Sequence, residues 1–554
     1  MLHLQQDIRD INRLRQILLV LVEEGLGHYL IRAKWGPHLP FRHRLSQKPL
    51  SSPEEAAVHI CHACARLGPS FIKLGQLLSL RPDLVTLEVS KQLECLQDNV
   101  APLPFSQIEQ TLEEELGKPW KKVFSSLEKK PLASASVAQV HRARLRSGKE
   151  VVVKVQRPGI SRMMETDIDI LLHLAKSLER HIPATRNFRP VHIVQEFTHW
   201  SKRELDFGQE AENALQLRAE MADNPNVFVP PVIRELCTRR LMVQEFVDGV
   251  KINDFAFLKK QKINRRRLAM NYFESLLEQA LLHGFFHADP HPANILVNRK
   301  GRLVFLDYGI MGYLTLDDRA KVIRFIRSLE EKDAQKSMGL ILALARDTSL
   351  ANVEGWKQEA LPLLERVARH SLQEQSIGKA LYQLIALGAK HHIIFDPNHI
   401  LIAKIIYQAE GIGLQLDPQF KVREGFAQFA AGALRKEANP LRMLEKTAQK
   451  LWYQKDLLWE MPERLRLLLT PETHPSVPLA QLQELEREWE QESRRKNWLL
   501  LTSLFFLAGI FLMYVEGRTF LGGISLSTSL LIAASFFFFL FWKTQRGGAH
   551  GETG

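Results

Sequence analysis

Apolar residues recur every three or four positions over most of the chain, and this period predicts a largely helical protein. Between 53 and 116 the recurring residues are Leu67, Ile72, Leu77, Leu78 and Leu80. The same pattern predicts helices around 163–181, 193–221 and 265–283, over nearly all of 315–470, and a charged solvated helix over 480–496.

Short β-branched and apolar runs interrupt this helical pattern and predict strands. Glu150–Gln156 follows a Ser147-Gly148 turn, and Leu241–Val247 is a second strong run. Ile295–Val297 and Leu303–Leu306 flank the turn 298–301, which predicts a hairpin. Strands grouped between long helices indicate an α+β protein.

Two uncharged segments, Trp498–Val515 and Phe520–Trp542, follow the helical region. A membrane span needs about 17–25 residues, so the pair predicts a transmembrane helical hairpin over 497–543. A buried hairpin in a soluble domain is the alternative. Basic residues flank the hairpin on both outer sides, which places both termini and the large domain in the cytoplasm. We therefore expect a multi-pass protein of the cytoplasmic (inner) membrane.

Composition adds a charge and a redox expectation. The 74 basic and 62 acidic residues give a net charge of +12, which favours an anionic partner. No nucleic-acid recognition motif accompanies this charge, so we expect membrane lipid and no nucleic acid. The 4 cysteines predict a reducing compartment without a disulfide framework. Cys61 and Cys64 form a lone C-x-x-C without a second pair, which favours helix packing over zinc.

The strongest chemical signal is the sequence HADPHPAN, residues 287–294, followed by Leu306-Asp307-Tyr308-Gly309. Asp289 and Asn294 lie five positions apart, and Asp307 follows behind the predicted hairpin. This is the layout of a kinase catalytic loop and its metal triplet. It predicts Asp289 as the catalytic carboxylate, with Asn294 and Asp307 as Mg²⁺ ligands. The alternative is a His/Asp-rich turn between strands.

Lys154 lies in the strand VVVK and matches the kinase lysine that binds ATP phosphates. A carboxylate must orient such a lysine, and the segment from Glu204 to Glu210 offers three. The backbone of Glu245 and Val247, after the next strand, would receive adenine. Phe246 between them is equally consistent with ordinary core packing.

The stretch before the lysine strand, Pro131–His141, contains no glycine. Alanine disfavours the positive-φ conformations that glycine adopts cheaply, so this Ala-rich loop should be more restricted than a kinase phosphate loop. Small residues still permit close approach to phosphate. The predicted ATP-binding residues here are Leu132, Ala133, Ser134, Ala135, Ser136, Val137, Ala138, Gln139 and Val140.

Together with Lys73-Leu74-Gly75-Gln76 (K-x-G-Q) and the E-x-D of Glu204 and Asp206, these motifs resemble the UbiB/AarF family of atypical kinases, which includes the mitochondrial ADCK proteins. The resemblance covers about 55–435. It implies a two-lobed kinase-like fold that binds ATP and Mg²⁺, associates with membranes and serves ubiquinone or another isoprenoid quinone. Quinone-biosynthesis enzymes or quinone precursors are the implied partners.

The resemblance also implies a regulatory, occluding role for the K-x-G-Q helix, which carries Lys73 and Gln76, with Lys73 facing Glu204 and Asp206. Glu210 then remains as the partner of Lys154. The expected domains are an N-terminal helical extension (1–105), a kinase-like N-lobe (106–250) and C-lobe (251–435), a stalk (436–496) and the two spans (497–543).

Three functions fit these motifs. A membrane-anchored ATPase or kinase acting on a small-molecule or lipid-linked target is favoured by Lys154, Asp289, Asn294 and Asp307. A nucleotide-binding pseudokinase scaffold for quinone-biosynthesis enzymes is favoured by the Ala-rich loop and the occluding helix. An ordinary protein kinase is disfavoured, because no A-P-E-like segment follows Asp307.

Overall fold

The computed structural model describes residues 2–32, 53–81, 84–85, 87–93, 95–96, 100–182, 185, 189–349, 351–369 and 377–437, together with 520–521, 524–525, 532 and 535. The chain divides into two compact units, Met1–Pro440 and Leu441–Gly554.

Helices account for most of the first unit, as the apolar period predicts. They are α1 (Leu2–Glu23), α2 (Gly27–Arg32), α3 (Pro53–Leu67), α4 (Pro69–Leu80), α5 (Leu87–Leu93), α6 (Phe105–Leu116), α7 (Ile160–His181), α8 (Pro190–Glu204), α9 (Phe207–Glu220), α10 (Phe255–Lys260), α11 (Arg265–Leu277), α12 (Leu316–Glu330), α13 (Ala334–Leu342), α14 (Val353–Arg369), α15 (Ile377–Lys390), α16 (Pro397–Leu416) and α17 (Val422–Glu437).

Short strands lie between these helices, and the last two belong to the second unit. They are β1 (Phe124–Leu127), β2 (Ala133–Ser134), β3 (Ala138–Leu145), β4 (Glu150–Gln156), β5 (Val227–Phe228), β6 (Leu241–Glu245), β7 (Gly249–Lys251), β8 (Phe285–His287), β9 (Ile295–Asn298), β10 (Leu303–Phe305), β11 (Met311–Tyr313), β12 (Ala345–Asp347), β13 (Ile394–Phe395), β14 (Phe520–Leu521) and β15 (Ile524–Ser525).

Two sheets frame the candidate site. The first has the order β1-β3-β4-β6, with β2 paired to β3, and its register sets Lys154 opposite Val140 and Met242. The second has the order β5-β10-β9-β7. Its β9–β10 hairpin pairs Phe305 with Ile295, which brings the residues after β10 back beside the end of the 287–294 loop. The predicted hairpin is confirmed.

The N-terminal helices pack on α7 through a separate apolar cluster that includes Ile17, Leu18, Phe71 and Leu174. An ion pair reinforces this contact: Arg13 Nε lies 2.6 Å from the fully buried carboxylate of Asp167. The helical extension is therefore packed against the kinase-like part of the chain.

Two expectations about helix bounds need correction. The predicted helix 193–221 is two helices, α8 and α9, because Leu205 and Asp206 leave helical geometry and Asp206 Oδ1 accepts the Gln209 amide as an N-cap. Of the predicted helix 265–283, only Arg265–Leu277 is α-helical (α11), and Glu278–His283 forms a wider π-helical turn.

The expectation of no disulfide is wrong. Cys61 on α3 is bonded to Cys95 just after α5, with 7.3 Å between their Cα atoms, because α3 and α5 pack side by side. Cys64 and Cys237 are buried free thiols, and burial raises the pKa of Cys64 to about 12.

All but the first two residues of the predicted stalk lie outside the described residues, and so does most of the predicted hairpin. Within the described parts of the chain, no helix combines the length and apolar character needed to cross a bilayer. The spans over 497–543 and the multi-pass topology stay predictions.

Candidate active site

The centre of the site is a buried ion pair between the β4 lysine and the first turn of α9. Lys154 Nζ donates to Glu210 Oε1 at 2.7 Å and to Oε2 at 2.8 Å. The same nitrogen lies 3.6 Å from Asp307 Oδ1 and 5.0 Å from the Phe207 ring centre. Three residues separated by up to 153 positions thus converge at one ammonium group.

The electrostatics of this group follow from burial and close charges. Burial works against the Lys154 cation, but the carboxylates of Asp307 and Glu210 outweigh it and raise its pKa. Burial raises the pKa of Glu210 to about 7, against the opposing effect of Lys154. Burial also disfavours the Asp307 carboxylate, yet Lys154 and Lys73 lower its pKa to about 2.

The loop with Asp289 and Asn294 is fixed by its own hydrogen bonds. Asn294 Nδ2 donates to the Asp289 carbonyl at 3.2 Å and lies 3.4 Å from Asp289 Oδ2. The amide group of Asn294 therefore directs its Nδ2 at Asp289 and leaves its Oδ1 for a cation. Tyr272, buried under the loop, donates its hydroxyl to the Pro290 carbonyl at 2.8 Å.

His287 braces this loop from below. Its Nδ1 accepts the Asp289 amide at 3.2 Å, and Gln279 Oε1 from the π-helical turn accepts the His287 amide at 3.0 Å. Its imidazole is 1% exposed, and burial lowers its pKa. The neutral ring is thus held as a hydrogen-bond acceptor at Nδ1.

The Ala-rich loop is pinned by a residue that sequence reasoning missed. Arg157 donates to the carbonyl oxygens of Ala135 at 2.8 Å and Ala101 at 2.9 Å, and to Ser134 Oγ at 2.7 Å. Ser134 Oγ, a predicted phosphate donor, is thereby engaged as an acceptor. No local motif marks Arg157; only its position directly after β4 places it near the loop.

The predicted ATP-binding residues differ in what they offer a ligand. Leu132 is 50% exposed, whereas Ser136 and Gln139 are fully buried. The Gln139 side chain accepts the Leu103 amide from the segment before α6. At the predicted adenine site, the amides of Glu245 and Phe246 donate to carbonyls of Pro231 and Glu150. The Phe246 ring stacks under Arg142 at 4.1 Å rather than entering the core.

The K-x-G-Q helix, α4, reaches the site through Lys73. Lys73 Nζ lies 2.7 Å from Glu204 Oε1, and both side chains are under 10% exposed. Burial raises the pKa of Glu204, with Lys73 opposing. Asp206 Oδ1 accepts the Gln209 amide at 3.2 Å as the N-cap of α9. A Cβ on Gly309 would lie 3.2 Å from Glu204 Oε2, so this carboxylate borders the metal triplet.

Gly75 and Gln76 hold the other side of α4. A Cβ at Gly75 would lie 2.1 Å from Leu96 Cδ1, so glycine permits the close packing found here. Gln76 Nε2 donates to the Leu96 carbonyl at 3.1 Å. This contact is next to Cys95 of the disulfide.

A buried polar cluster, also missed from sequence, fastens the end of α4 to α15 and α16. The Ser79 carbonyl accepts Lys404 Nζ at 3.1 Å and Ser90 Oγ at 2.9 Å. Tyr382 completes the cluster, with its hydroxyl 3.1 Å from Ser90 Oγ.

Asn294 and Asp307 fit Mg²⁺ by donor chemistry, because a carboxylate and an amide oxygen are the hard ligands this ion prefers, with phosphate and water completing its shell. Lys154 is a cation that Glu210 holds in place. The Lys73–Glu204 pair of α4 borders this arrangement.

Comparison with known proteins agrees with this geometry. The ABC1 atypical kinase-like domain matches residues 95–340, and the UbiB helical domain matches 362–421. The chain is 31% identical to the probable protein kinase UbiB of Shewanella piezotolerans, covering 85% of this chain and 87% of that protein. It is 32% identical to the protein of that name from Pseudomonas paraeruginosa, covering 84% and 85%.

A solved chain from the Rv3197–erythromycin complex of Mycobacterium tuberculosis is 24% identical, with coverage of 57% of this chain and 80% of that one and a TM-score of 0.43. The family assignment rests on the curated relatives, which this chain matches over 87% and 85% of their own length. With its kinase-like fold, the chain belongs to the UbiB family of ABC1 atypical kinases.

Proposed function

We propose that the chain binds Mg-ATP at the site around Lys154 and uses it, as an ATPase or kinase, in support of ubiquinone or related isoprenoid-quinone biosynthesis. The observation that carries the proposal is the clamp of Glu210 on Lys154 beside Asp307. A fixed ammonium with an ionised carboxylate at 3.6 Å suits a polyphosphate and its metal ion.

Each residue then has one task. Lys154 binds the α- and β-phosphate oxygens while Glu210 fixes its position. Asn294 and Asp307 hold Mg²⁺, which neutralises charge on the phosphates when bound. Asp289 positions an acceptor hydroxyl or a water and accepts its proton. The basic charge and the predicted spans favour a membrane location, so the acceptor is a small-molecule or lipid-linked compound.

The test is nucleotide binding and ATP turnover by the full chain in vesicles. Asp307→Asn should abolish Mg²⁺-dependent binding, whereas Asp289→Asn should keep binding and lose turnover. Asp317→Asn, at an exposed acid on α12, is the matched control and should change neither. Unchanged Mg²⁺-dependent binding in Asp307→Asn would refute the site.

A pseudokinase scaffold is the second candidate. It is favoured by the pinned Ala-rich loop and by α4, whose Lys73–Glu204 pair borders the metal triplet and limits access for an acceptor. Nucleotide binding without turnover in any vesicle composition would support it. The search would then turn to quinone-biosynthesis enzymes held at the membrane.

A further inference from the structure

The segment from α10 to the start of α11 concentrates positive charge on one surface of the C-lobe. Residues 255–267 read FAFLKKQKINRRR and contain six basic residues and no acid. The nearest preceding acid, Asp254, accepts the Phe257 amide as the N-cap of α10. We call this the basic surface; it comprises Lys259, Lys260, Lys262, Arg265, Arg266 and Arg267.

Most of this charge is not neutralised by the protein. Within the described residues, Lys259, Lys260, Lys262 and Arg267 take part in no ion pair. Arg266 reaches Asp417 and Glu424 only at 3.9 and 3.7 Å. Pairs at such distances on an exposed side chain contribute little. The basic surface therefore keeps a strong positive potential toward solvent.

The placement of the arginines points to an external anion. They occupy the first turn of α11, where Asn264 caps the helix by accepting the Arg267 amide. The positive end of a helix dipole disfavours cations and attracts anions. Arg265 Nη2 donates to the Gln415 carbonyl at 2.7 Å, and its guanidinium lies 4.5 Å from the Phe255 ring centre, whereas its buried Nε has no hydrogen-bond partner in the described structure.

The surface combines charge with apolar contact area. An open hollow of about 610 Å³ is lined by Phe255, Ala256, Lys259, Lys262, Ile263 and Arg265. Phe255 is 37% exposed. Aromatic rings favour the head-group level of a bilayer, and long basic side chains reach phosphates while their stems cover apolar surface. This combination fits a lipid leaflet better than a purely polar polyanion.

We propose that the basic surface docks on a leaflet of acidic phospholipid, with Phe255 at head-group depth and the lysines and arginines on lipid phosphates. The inference rests on the membrane location in the proposed function, but it is independent of ATP turnover. The basic surface is then the part of the C-lobe that faces the bilayer.

Lysine footprinting of the full chain tests the proposal. The chain is reconstituted in vesicles of phosphatidylcholine alone or of equal parts phosphatidylcholine and phosphatidylglycerol. Neither lipid has a primary amine that would react with the acylating reagent. Acylation of each lysine is then read by mass spectrometry. Lys259, Lys260 and Lys262 should be protected only in the acidic vesicles, whereas exposed Lys129 and Lys130 of the N-lobe should react equally in both.

Substitutions give the quantitative test. Each basic residue near an acidic leaflet is worth about a fivefold change in binding, so Arg266→Gln/Arg267→Gln should weaken docking about thirtyfold and restore lysine reactivity. The matched double variant Lys129→Gln/Lys130→Gln should leave the protection of Lys259 unchanged. Raised salt should also remove the protection, because the attraction is screened.

The outcomes separate the two proposals. Chains that float with vesicles but show equal lysine reactivity in both lipid compositions overturn this surface and leave the membrane location standing. Chains that do not float with either vesicle overturn both. Protection by single-stranded RNA in neutral vesicles, with none from phosphatidylglycerol, overturns the lipid assignment in favour of a nucleic-acid partner.

Discussion

Lys73→Met should lower the free energy of local opening of α4, by an amount that depends on pH. The substitution removes the cation that lies 2.7 Å from Glu204 Oε1 while the carboxyl stays buried. Breaking a buried pair on one side costs about 3–5 kcal/mol. Glu204 can escape by taking up a proton, which costs about 3.5 kcal/mol at pH 7 for an ordinary glutamate and about 1 kcal/mol at pH 5. The expected loss is therefore about 3–3.5 kcal/mol at pH 7 and about 1 kcal/mol at pH 5.

The assay is hydrogen exchange of the α4 amides, which reports the free energy of local opening without assuming that the whole chain unfolds in one step. Lys73→Met/Glu204→Gln should recover about 2 kcal/mol of the loss at pH 7, because the double variant no longer leaves the Glu204 charge buried without its partner. Lys91→Met, at an exposed lysine of neighbouring α5, is the control. Equal losses at the two pH values, or equal losses in the single and double variants, would refute the electrostatic reasoning.

Three further predictions follow from the site and its supports. Burial raises the pKa of Glu210 to about 7, so its carboxylate form dominates only above that pH. Nucleotide binding should therefore weaken as the pH falls through about 7. When binding to the Glu210→Gln variant is measured against pH, this step should be missing. Gly284 and Gly301 both have positive φ, but a Cβ at Gly284 would lie 2.6 Å from a backbone oxygen, whereas a Cβ at Gly301 would meet no atom within 4 Å. Urea unfolding should therefore show Gly284→Ala to be less stable than Gly301→Ala by about 1–3 kcal/mol. Equal unfolding midpoints for the two variants would contradict this. Arg157→Lys loses the hydrogen bonds that bridge to the Ala-rich loop, so amide exchange in that loop should accelerate about tenfold or more. Unchanged exchange would show that the loop keeps its conformation without Arg157.

The placement of the site residues along the chain could be predicted because it is encoded in short spacings. The interval from Asp289 to Asn294 fixes one loop, and the following hairpin fixes Asp307, so few folds satisfy both. Lys154 and Glu210 were predicted as partners by family resemblance, and the structure brings them together. Lys73 was predicted to face two acids, and the structure pairs it with Glu204, while Asp206 caps the N-terminus of α9.

Other features depend on contacts that local pattern does not contain. The bond from Lys404 to Ser79 joins residues 325 positions apart, and the Cys61–Cys95 disulfide joins two helices whose packing must be known first. The apolar period continues through Leu205, so periodicity alone does not reveal the break between α8 and α9. Only the capping residue Asp206 gives a local sign of it.

The buried cluster of Ser79, Ser90, Tyr382 and Lys404 bears on how this protein can be divided. The two matched family regions begin at 95 and end at 421, so α4 lies before both of them. Yet the Ser79 carbonyl at the end of α4 is an acceptor for Lys404 in the middle of α16. A recombinant fragment cut at the family boundaries would deprive a buried ammonium of this acceptor and uncover Glu204. The smallest piece that preserves the native environment of the kinase-like domain must therefore begin before Pro69 and continue through α16.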